Sequence, residues 1–575
     1  MYNSEVKTMA YFLKITNQPK GKYLQIYDSF YDKKRKVSRH TCFKKLGYEK
    51  KLITSTIKDP ISYYKQEVIK LNNKQKKIKE ENKQKKIGEN IVKNIGYVLV
   101  KNLVNTLSLK EECEDMKYTN DFNYPIFKLI EALTYNRIIH PCSKLKTWEE
   151  IMPELYEKYD FSLSQIYDGI KYLGSRYGQF IEILNKCISD TFTRNTSTCF
   201  FDCTNYYFEI DFEKDDKQKG PCKENRPNPI IGQALLLDSD SIPLCMRMYP
   251  GNQSEKPYLP EIIKEMKDQN RIKGRTIQVA DKGLNCGNNI YYAIKNKDGY
   301  IFSQSILRLE EAEKKWVLLQ NGFTNKFNKD GTLEYKIKEC IDYFPIRVTD
   351  GKGKVNIIKV KQKRIVSYNP SLAEKKKIEI FRLVEKANLL TLSKAKKEEY
   401  GECSKYIKFE DKKGEKIKPL INQEKIDNDL KYAGYNLLVT SELNMDKFEV
   451  YKVYHKLWKI EDTFRVLKSQ LDARPVYLQN RESIYGHFLI CYYAVTLLRL
   501  LEEKIFKNQY SIYELKKIIQ DVNVVYCNDD LFKNITVKTS NIDEICSKYN
   551  LNINYLYLSE KQINKLFNLR YKINK

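Results

Sequence analysis

Histidine is scarce in this sequence, and its cysteines form no metal-binding or disulfide pattern. Only four of the 575 residues are histidines, and none joins cysteines at the spacing of a zinc site. The 14 cysteines are scattered from Cys42 to Cys546 without a CxxC pair. The sequence therefore argues against a zinc ribbon and against a disulfide-rich secreted domain, and it predicts reduced thiols.

The chain also lacks a long apolar run and a charged, apolar and small-residue pattern at its N-terminus. Its best apolar stretch, residues 488–498, is too short to span a bilayer. We therefore expect a soluble protein of the cytoplasm with no membrane partner.

What is abundant is positive charge. The 102 lysines and arginines exceed the 74 acidic residues by 28. Such a balance favours a polyanionic partner, because lysine and arginine neutralise phosphates and release counterions. Nucleic acid is the natural candidate. Lysine, isoleucine, asparagine and tyrosine are all frequent, as under AT-rich coding, so the charge alone does not identify the partner.

The N-terminal part predicts two small segments. Residues 1–62 alternate apolar and polar around a turn signal, which indicates a small basic β-meander. This meander could contact DNA, or it could be an ordinary solvated sheet. Residues 63–96 form a lysine-rich connector in which NKQKKI occurs twice, at Asn73 and Asn82.

Residues 97–195 have helical apolar spacing, and we interpret them as a helical, DNA-binding domain. Within them Ser143, Lys144 and Lys146 fit a helix start that contacts phosphate, and a capped surface helix explains them equally well. Farther along, His487 is interpreted as a buried core histidine rather than a ligand.

The central part predicts an α/β fold with an interruption. Strands begin near Thr198, two of them form a hairpin around the turn at 238–241, and the first part of the core covers 196–307. A mixed, β-rich insertion of domain size covers 308–430, and the core resumes at 431–506. The basic tail region 507–575 has no role that the sequence reveals.

Three acidic residues fall at informative places in this core. Asp202 lies inside the apolar strand FFDCT, Asp281 ends the strand TIQVA just before Gly283, and Glu461 lies on a later helix. A charge inside an apolar strand is costly unless it is paired or binds a cation. Three carboxylates on two strands and one helix suit a two-metal phosphoryl-transfer site, since Mg²⁺ prefers hard oxygen ligands. Each acid alone could instead be a cap or a surface ion pair.

The stretch VYHKLWKIEDTFRVLKSQLD, residues 453–472, predicts the helix that carries Glu461. Its apolar stripe, which we assign to packing, consists of Val453, Leu457, Ile460, Phe464, Leu467 and Leu471. A second, polar stripe consists of Tyr454, Glu461, Arg465, Lys468 and Asp472, bordered by Trp458. This stripe could border a cleft, or it could be a solvated face with a Glu461–Arg465 pair.

These blocks resemble the DDE transposases of bacterial insertion sequences, in the branch with a Tyr, Arg, Glu, Lys signature helix. The resemblance runs over nearly the whole chain and is carried by FDCTNYYFE, VADKGLNCGNNI and WKIEDTFRVLKSQLDARPVY. Tyr454, Glu461 and Lys468 match the signature. The arginine position is instead Leu457, which our helix geometry assigns to packing, and Arg465 is the candidate substitute.

The resemblance implies an RNase H-like catalytic core with a β-rich insertion between the second aspartate and the glutamate. It implies that Asp202, Asp281 and Glu461 are catalytic and hold two Mg²⁺ ions, for which Mn²⁺ could substitute. It also implies that Tyr454 and Lys468 position DNA phosphates.

The implied activity is cut-and-paste transposition, in which water cleaves the element's ends and the freed 3′ hydroxyl attacks target DNA. The implied partners are double-stranded DNA with terminal inverted repeats, target DNA and a second copy of the chain in a synaptic homodimer at the nucleoid. Trp458 could stack on an unpaired base or be buried at the rim. Two other functions stay open: a structure-selective Mg²⁺-dependent nuclease and a non-catalytic DNA-binding remnant.

Overall fold

A computed structural model describes residues 10–32, 37–54, 56–83, 92–115, 124–224, 226–389, 401–409, 419–528 and 530–573. The chain divides into two compact units, Met1–Ile91 and Val92–Lys575.

The first unit contains a three-stranded antiparallel meander and a long helix. Its elements are β1 (Ala10–Gln18), β2 (Gly21–Asp32), β3 (Val37–Tyr48), α1 (Glu49–Leu52) and α2 (Pro60–Lys83). Gly21 has a φ of +114° in the turn between β1 and β2, where glycine is favoured. The Asn72 side chain accepts from the Tyr11 amide and donates to its carbonyl, so α2 packs on β1. Residues 84–91 of the expected connector, with most of the second NKQKKI, lie outside the described residues.

The second unit begins with a short strand and a group of helices. They are β4 (Val92–Asn94), α3 (Val98–Thr106), α4 (Leu109–Asp115), α5 (Ile126–Ile139), α6 (Lys144–Lys146), a π-helical turn (Thr147–Ile151), a 3₁₀ turn (Met152–Glu154), α7 (Leu163–Ser175) and α8 (Tyr177–Thr191).

The α/β core follows. Its elements are β5 (Thr198–Tyr207), β6 (Ile230–Leu237), β7 (Pro243–Pro250), α9 (Tyr258–Asp268), β8 (Ile277–Ala280), α10 (Gly287–Lys295), β9 (Gly299–Gln304), a 3₁₀ turn (Ile306–Arg308), α11 (Glu311–Leu318), β10 (Thr324–Phe327), β11 (Leu333–Thr349), β12 (Val355–Tyr368), α12 (Pro370–Asn388), β13 (Ile407–Phe409), β14 (Pro419–Ile421), α13 (Gln423–Lys431), β15 (Tyr435–Thr440), α14 (Lys447–His455), α15 (Trp458–Arg465), a π-helical turn (Val466–Gln470), α16 (Arg481–Leu500) and a second π-helical turn (Leu501–Ile505).

One nine-stranded mixed sheet organises this core, in the order β10-β11-β12-β15-β9-β8-β5-β6-β7. The hairpin of β6 and β7 around residues 238–241 is confirmed. β5, β8 and β9 run parallel. The expected insertion does not build a separate sheet with its main strands: β12 pairs with β15 over six residues, so the long β11–β12 hairpin extends the core sheet.

α16 is the central helix of the unit, and residues 483–500 are buried. It packs against α7 and α5. A Cβ at Gly174 of α7 would lie 1.6 Å from the Glu482 carbonyl oxygen, so only glycine allows these two backbones to approach so closely. The helical stretch Arg481–Ile505 is long and apolar enough to cross a membrane, and its most apolar 18-residue window is buried inside the folded unit.

The expected tail region is folded rather than a loose extension. It contains α17 (Ile512–Asp521), β16 (Asn523–Asn528), β17 (Leu531–Asn534), α18 (Ser540–Tyr549), β18 (Tyr557–Ser559) and α19 (Glu560–Phe567). Its three strands form a sheet with β4 in the order β18-β17-β16-β4. This pairing joins the two ends of the second unit and explains why the segment has apolar residues.

The helix expected over residues 453–472 is not continuous. α14 ends at His455 and α15 begins at Trp458, because the amides of Lys456 and Leu457 bond to carbonyls three residues back and tighten the turn. A π-helical turn then follows α15 and changes the angular spacing of the side chains beyond Arg465. The apolar stripe is nevertheless buried from Leu457 to Leu471.

Candidate active site

Asp202 lies in the middle of β5 with its side chain 19% exposed. Its Oδ1 accepts a hydrogen bond of 2.7 Å from the Cys203 amide and lies 3.8 Å from the Lys223 Nζ. Burial raises the pKa of Asp202 to about 6, against the opposing effect of Lys223 and the Cys203 amide. The carboxylate is thus held in a strand where its charge is not fully compensated.

Asp281 follows directly after β8 and lies beside Asp202. β5 and β8 are parallel neighbours with Phe201 opposite Ala280, so the next residue of each strand is an aspartate. Neighbouring strands are about 4.8 Å apart, which places the two acids side by side at one edge of the site. The charge of Asp281 contributes to the raised pKa of Asp202.

Glu461 approaches the same place from the first turn of α15, which packs on β5. Its residue is solvent-exposed, at the open side of the site. Partial desolvation of its carboxylate and the charge of Asp281 raise the pKa of Glu461, while Lys223 and Arg465 oppose the rise. The structure therefore brings the three sequence-predicted acids into one electrostatically coupled group.

This group has the donor chemistry of a divalent cation site. Mutual repulsion and burial leave the three carboxylates short of positive charge, which a cation with oxygen ligands would supply. Among the described residues, no three acidic, histidine or cysteine side chains are already gathered closely enough to hold a metal. The carboxylate oxygens suit such an ion in their chemistry, although they are not gathered around one position here.

Tyr454, in α14, contacts Asp281. Its hydroxyl donates a hydrogen bond of 3.2 Å to the Asp281 Oδ1. Burial and the charge of Asp281 raise the pKa of Tyr454, so the hydroxyl stays protonated and remains a donor. Here the tyrosine orients a carboxylate, whereas the sequence assigned it to a DNA phosphate.

Lys468 lies in the π-helical turn after α15 and pairs with an acid. Its Nζ is 3.4 Å from the Glu224 Oε1 and 5.3 Å from the centre of the Tyr206 ring. Glu224 also forms an ion pair with Arg474. Lys468 thus has a protein partner in the place where the sequence predicted a phosphate.

The other three predicted positions on this segment differ in their exposure and in their partners. Leu457 is 5% exposed, which confirms its assignment to packing. Trp458 is 52% exposed, so the alternative of a buried rim tryptophan is wrong; the turn before α15 directs it outward. Arg465 pairs with Asp462 rather than Glu461 and lies 5.9 Å from the Tyr513 ring.

A buried ion network holds the helix that carries Glu461. Arg499 of α16 is fully buried and binds the carboxylates of Asp462 and Glu502. It also donates to the Thr463 hydroxyl. Because Asp462 is adjacent to Glu461, this network holds α15 on α16 and thereby helps to set the position of Glu461.

Sequence reasoning missed Lys223, Glu224 and Glu255, which are all on loops. The charge of Glu255 raises the pKa of Asp202 more than the charge of Asp281 does. A Cβ at Gly283 would lie only 2.9 Å from the Glu255 Oε1, so this loop acid also approaches the segment after Asp281. Loop residues have no periodicity, and only the three-dimensional structure identifies them.

Comparison with known proteins gives one family. The family model for a transposase DDE domain matches residues 205–497, just over half of the chain. The match includes Asp281 and Glu461 and begins three residues after Asp202. No curated protein matches the chain.

Proposed function

This chain belongs to the family of transposase DDE domains, and from that premise we propose that it cleaves the ends of a DNA element and joins them to target DNA. The single observation that carries the proposal is the position of Asp202 and Asp281 on neighbouring parallel strands, with Glu461 approaching from α15. A two-metal phosphoryl-transfer site needs oxygen ligands that rigid elements hold in a defined geometry.

The topology supports an RNase H-like core. The strands β5, β6 and β7 form an antiparallel meander, and β8 and β9 then add in parallel on the other side of β5. We assign the segment between Asp281 and Glu461 to a β-rich insertion whose main hairpin extends the core sheet. We assign the chain to the insertion-sequence branch with the Tyr, Arg, Glu, Lys signature, with Leu457 replacing the arginine.

Asp202, Asp281 and Glu461 would hold two Mg²⁺ ions, or Mn²⁺ in their place. When bound, the ions activate the attacking oxygen and stabilise the leaving one. The chain's own residues hold this group in place: Tyr454 orients Asp281, and the Arg499 network positions the Glu461 helix. Lys468 would exchange Glu224 for a DNA phosphate when DNA binds.

The proposed partners are double-stranded DNA with terminal inverted repeats, target DNA and a second copy of the chain, which act at the nucleoid. We propose that residues 97–195 and the basic meander contribute to DNA binding. The exposed Trp458 is available to stack on an unpaired base.

The proposal is tested with a donor plasmid that carries the DNA flanking the coding region, a target plasmid and Mg²⁺. We expect double-strand cleavage at inverted repeats and covalent joining of the 3′ ends to the target. Asp281→Asn should abolish both steps and keep DNA binding, while the exposed Asp211→Asn is the matched control. Cleavage without joining would identify a nuclease, and unchanged cleavage by Asp281→Asn would reject the assigned active site.

A further inference from the structure

Lys144 is a buried amine without an acidic partner. The residue is 7% exposed, and its Nζ lies 3.3 Å from the His487 Nδ1. In the described part of the chain it forms no ion pair with a carboxylate, and His487 is the polar side chain that it contacts. Burial and the nearby Arg137 lower the pKa of Lys144 to about 7.

His487 holds this amine in a defined direction. Its Nε2 is 3.1 Å from the Ala473 carbonyl oxygen, so Nε2 carries the proton and Nδ1 accepts from Lys144. Burial and the two cations lower the pKa of His487 well below its usual value, which keeps the ring neutral. Since a lysine amine has three donors, two remain for another acceptor.

The amine lines a cavity of about 740 Å³ between α7, the residues around α6 and the segment 472–480. Its lining contains four basic residues, Arg137, Lys144, Lys171 and Arg474, and two acidic residues, Asp168 and Asp472. Tyr477, also in the lining, is 72% exposed. The cavity is therefore open, net positive and supplied with a buried donor, which are properties of an anion site.

Ion pairs connect the lining of this cavity to the candidate active site. Arg474 lines the cavity and also pairs with Glu224, which pairs with Lys468. The residue before Glu224 is Lys223, the neighbour of Asp202. A series of alternating charges thus connects Asp202 to Arg474 in the lining of the cavity.

We propose that this cavity binds a backbone phosphate of the DNA substrate, with Lys144 as its buried ligand and His487 as the residue that directs it. The proposal rests on the proposed transposase function, because that function supplies the DNA. Phosphate oxygens would accept hydrogen bonds from the two remaining N–H groups of Lys144. The phosphate would also supply the negative charge that Lys144 lacks beside it. The exposed neighbour Lys146, paired with Glu150 at 3.5 Å, has no such role.

Binding of a fluorescent random-sequence duplex, measured by anisotropy over a range of salt concentrations, tests the proposal. Lys144→Met keeps the side-chain length and should weaken binding roughly tenfold and reduce the salt slope by about 1. Lys146→Met is the matched control and should bind like the wild type. Equal losses in both variants, or no loss in Lys144→Met, would overturn the proposal and indicate nonspecific surface charge or a structural lysine.

A second measurement covers the case in which Lys144→Met does not fold, as judged by circular dichroism. Hydrogen–deuterium exchange of the wild-type protein should slow at residues 141–148 and 472–480 when the duplex is added. Unchanged exchange there would also overturn the proposal. Orthophosphate could also raise the melting temperature of the wild type and not that of Lys144→Met, while both proteins bind the duplex equally. That result would identify a site for a free anion and reject the DNA contact.

The outcomes separate this proposal from the proposed function. A wild-type protein that binds no DNA and joins no ends refutes the function itself. A wild-type protein that cleaves and joins, while Lys144→Met binds and exchanges normally, refutes only the phosphate site.

Discussion

The hydroxyl of Tyr454 donates a hydrogen bond to the carboxylate of Asp281 across 173 residues of sequence. This contact joins the helix before Glu461 to the end of strand β8. A half-buried tyrosine that donates to the carboxylate of a proposed metal ligand sets its orientation, and such supporting contacts commonly affect metal affinity as well as rate.

Tyr454→Phe should therefore raise the Mg²⁺ concentration needed for half-maximal cleavage about 10- to 100-fold. The ring keeps its packing, and only the donor to Asp281 is lost. Cleavage of donor DNA, followed over a range of Mg²⁺ concentrations, measures the effect. The exposed Tyr555→Phe is the control. A purely phosphate-binding Tyr454 would instead alter DNA affinity and leave the Mg²⁺ requirement unchanged.

Asp202→Asn should stabilise the metal-free protein at neutral pH. The pKa of Asp202 is raised to about 6 in the folded state, so folding favours the protonated carboxyl. The contribution of this carboxyl to the free energy of unfolding is fully present below its pKa in the unfolded state, and it is lost as the pH rises through about 6. The variant should gain about 1–3 kcal/mol in free energy of unfolding at pH 7 and nothing below pH 4. Urea unfolding at both pH values measures this gain.

Added Mg²⁺ provides the control for that prediction. It should stabilise the wild type and act much less on Asp202→Asn, because the variant loses a charged ligand. If the variant differs from the wild type by the same free energy of unfolding at pH 7 and at pH 4, the charge of Asp202 is not a buried, uncompensated one.

Glu255→Gln should shift the pH dependence of Mn²⁺ affinity toward lower pH. The negative charge of Glu255 raises the pKa of Asp202, and its removal lowers that pKa, so fewer protons compete with the metal. Calorimetric titration at several pH values measures the shift. Glu261→Gln, on α9, is the control. A shift toward higher pH would show that the charge of Glu255 does not raise the pKa of Asp202.

Arg499→Met should destabilise the protein by about 3–5 kcal/mol, because it removes the buried cation that Asp462 and Glu502 share. Chemical denaturation measures the loss, and the exposed Arg382→Met should change little. The triple variant with Asp462→Asn and Glu502→Gln should recover part of the stability. No recovery would mean that packing of the arginine, rather than its charge, stabilises α15.

Glu224→Gln should strengthen DNA binding severalfold. Lys468 and Arg474 both pair with this glutamate, and its neutralisation frees two cations for phosphate. Lys468→Ala should weaken binding, while the exposed Lys456→Ala tests general charge loss. Anisotropy with a labelled duplex measures all three. Weaker binding by Glu224→Gln would show that the glutamate organises the site rather than occupying its cations.

The sequence by itself determined the positions that local pattern controls. Asp202 interrupts an apolar strand, Asp281 ends another, and Leu457 belongs to an apolar stripe, and each pattern follows from the two-residue period of strands or the 3.6-residue period of helices. Asp202 and Asp281 align because β5 and β8 are parallel neighbours with Phe201 opposite Ala280, whereas Glu461 comes from a helix.

The tertiary structure alone decided the contacts between segments far apart in the chain. Tyr454 meets Asp281, and Lys468 meets Glu224, because the tightened turn before α15 and the π-helical turn after it change the angles that a regular helix predicts. Lys144, which the sequence placed at a helix start that either contacts phosphate or caps a surface helix, is buried beside His487 of the central helix. Such contacts depend on long-range packing, which has no period in the sequence.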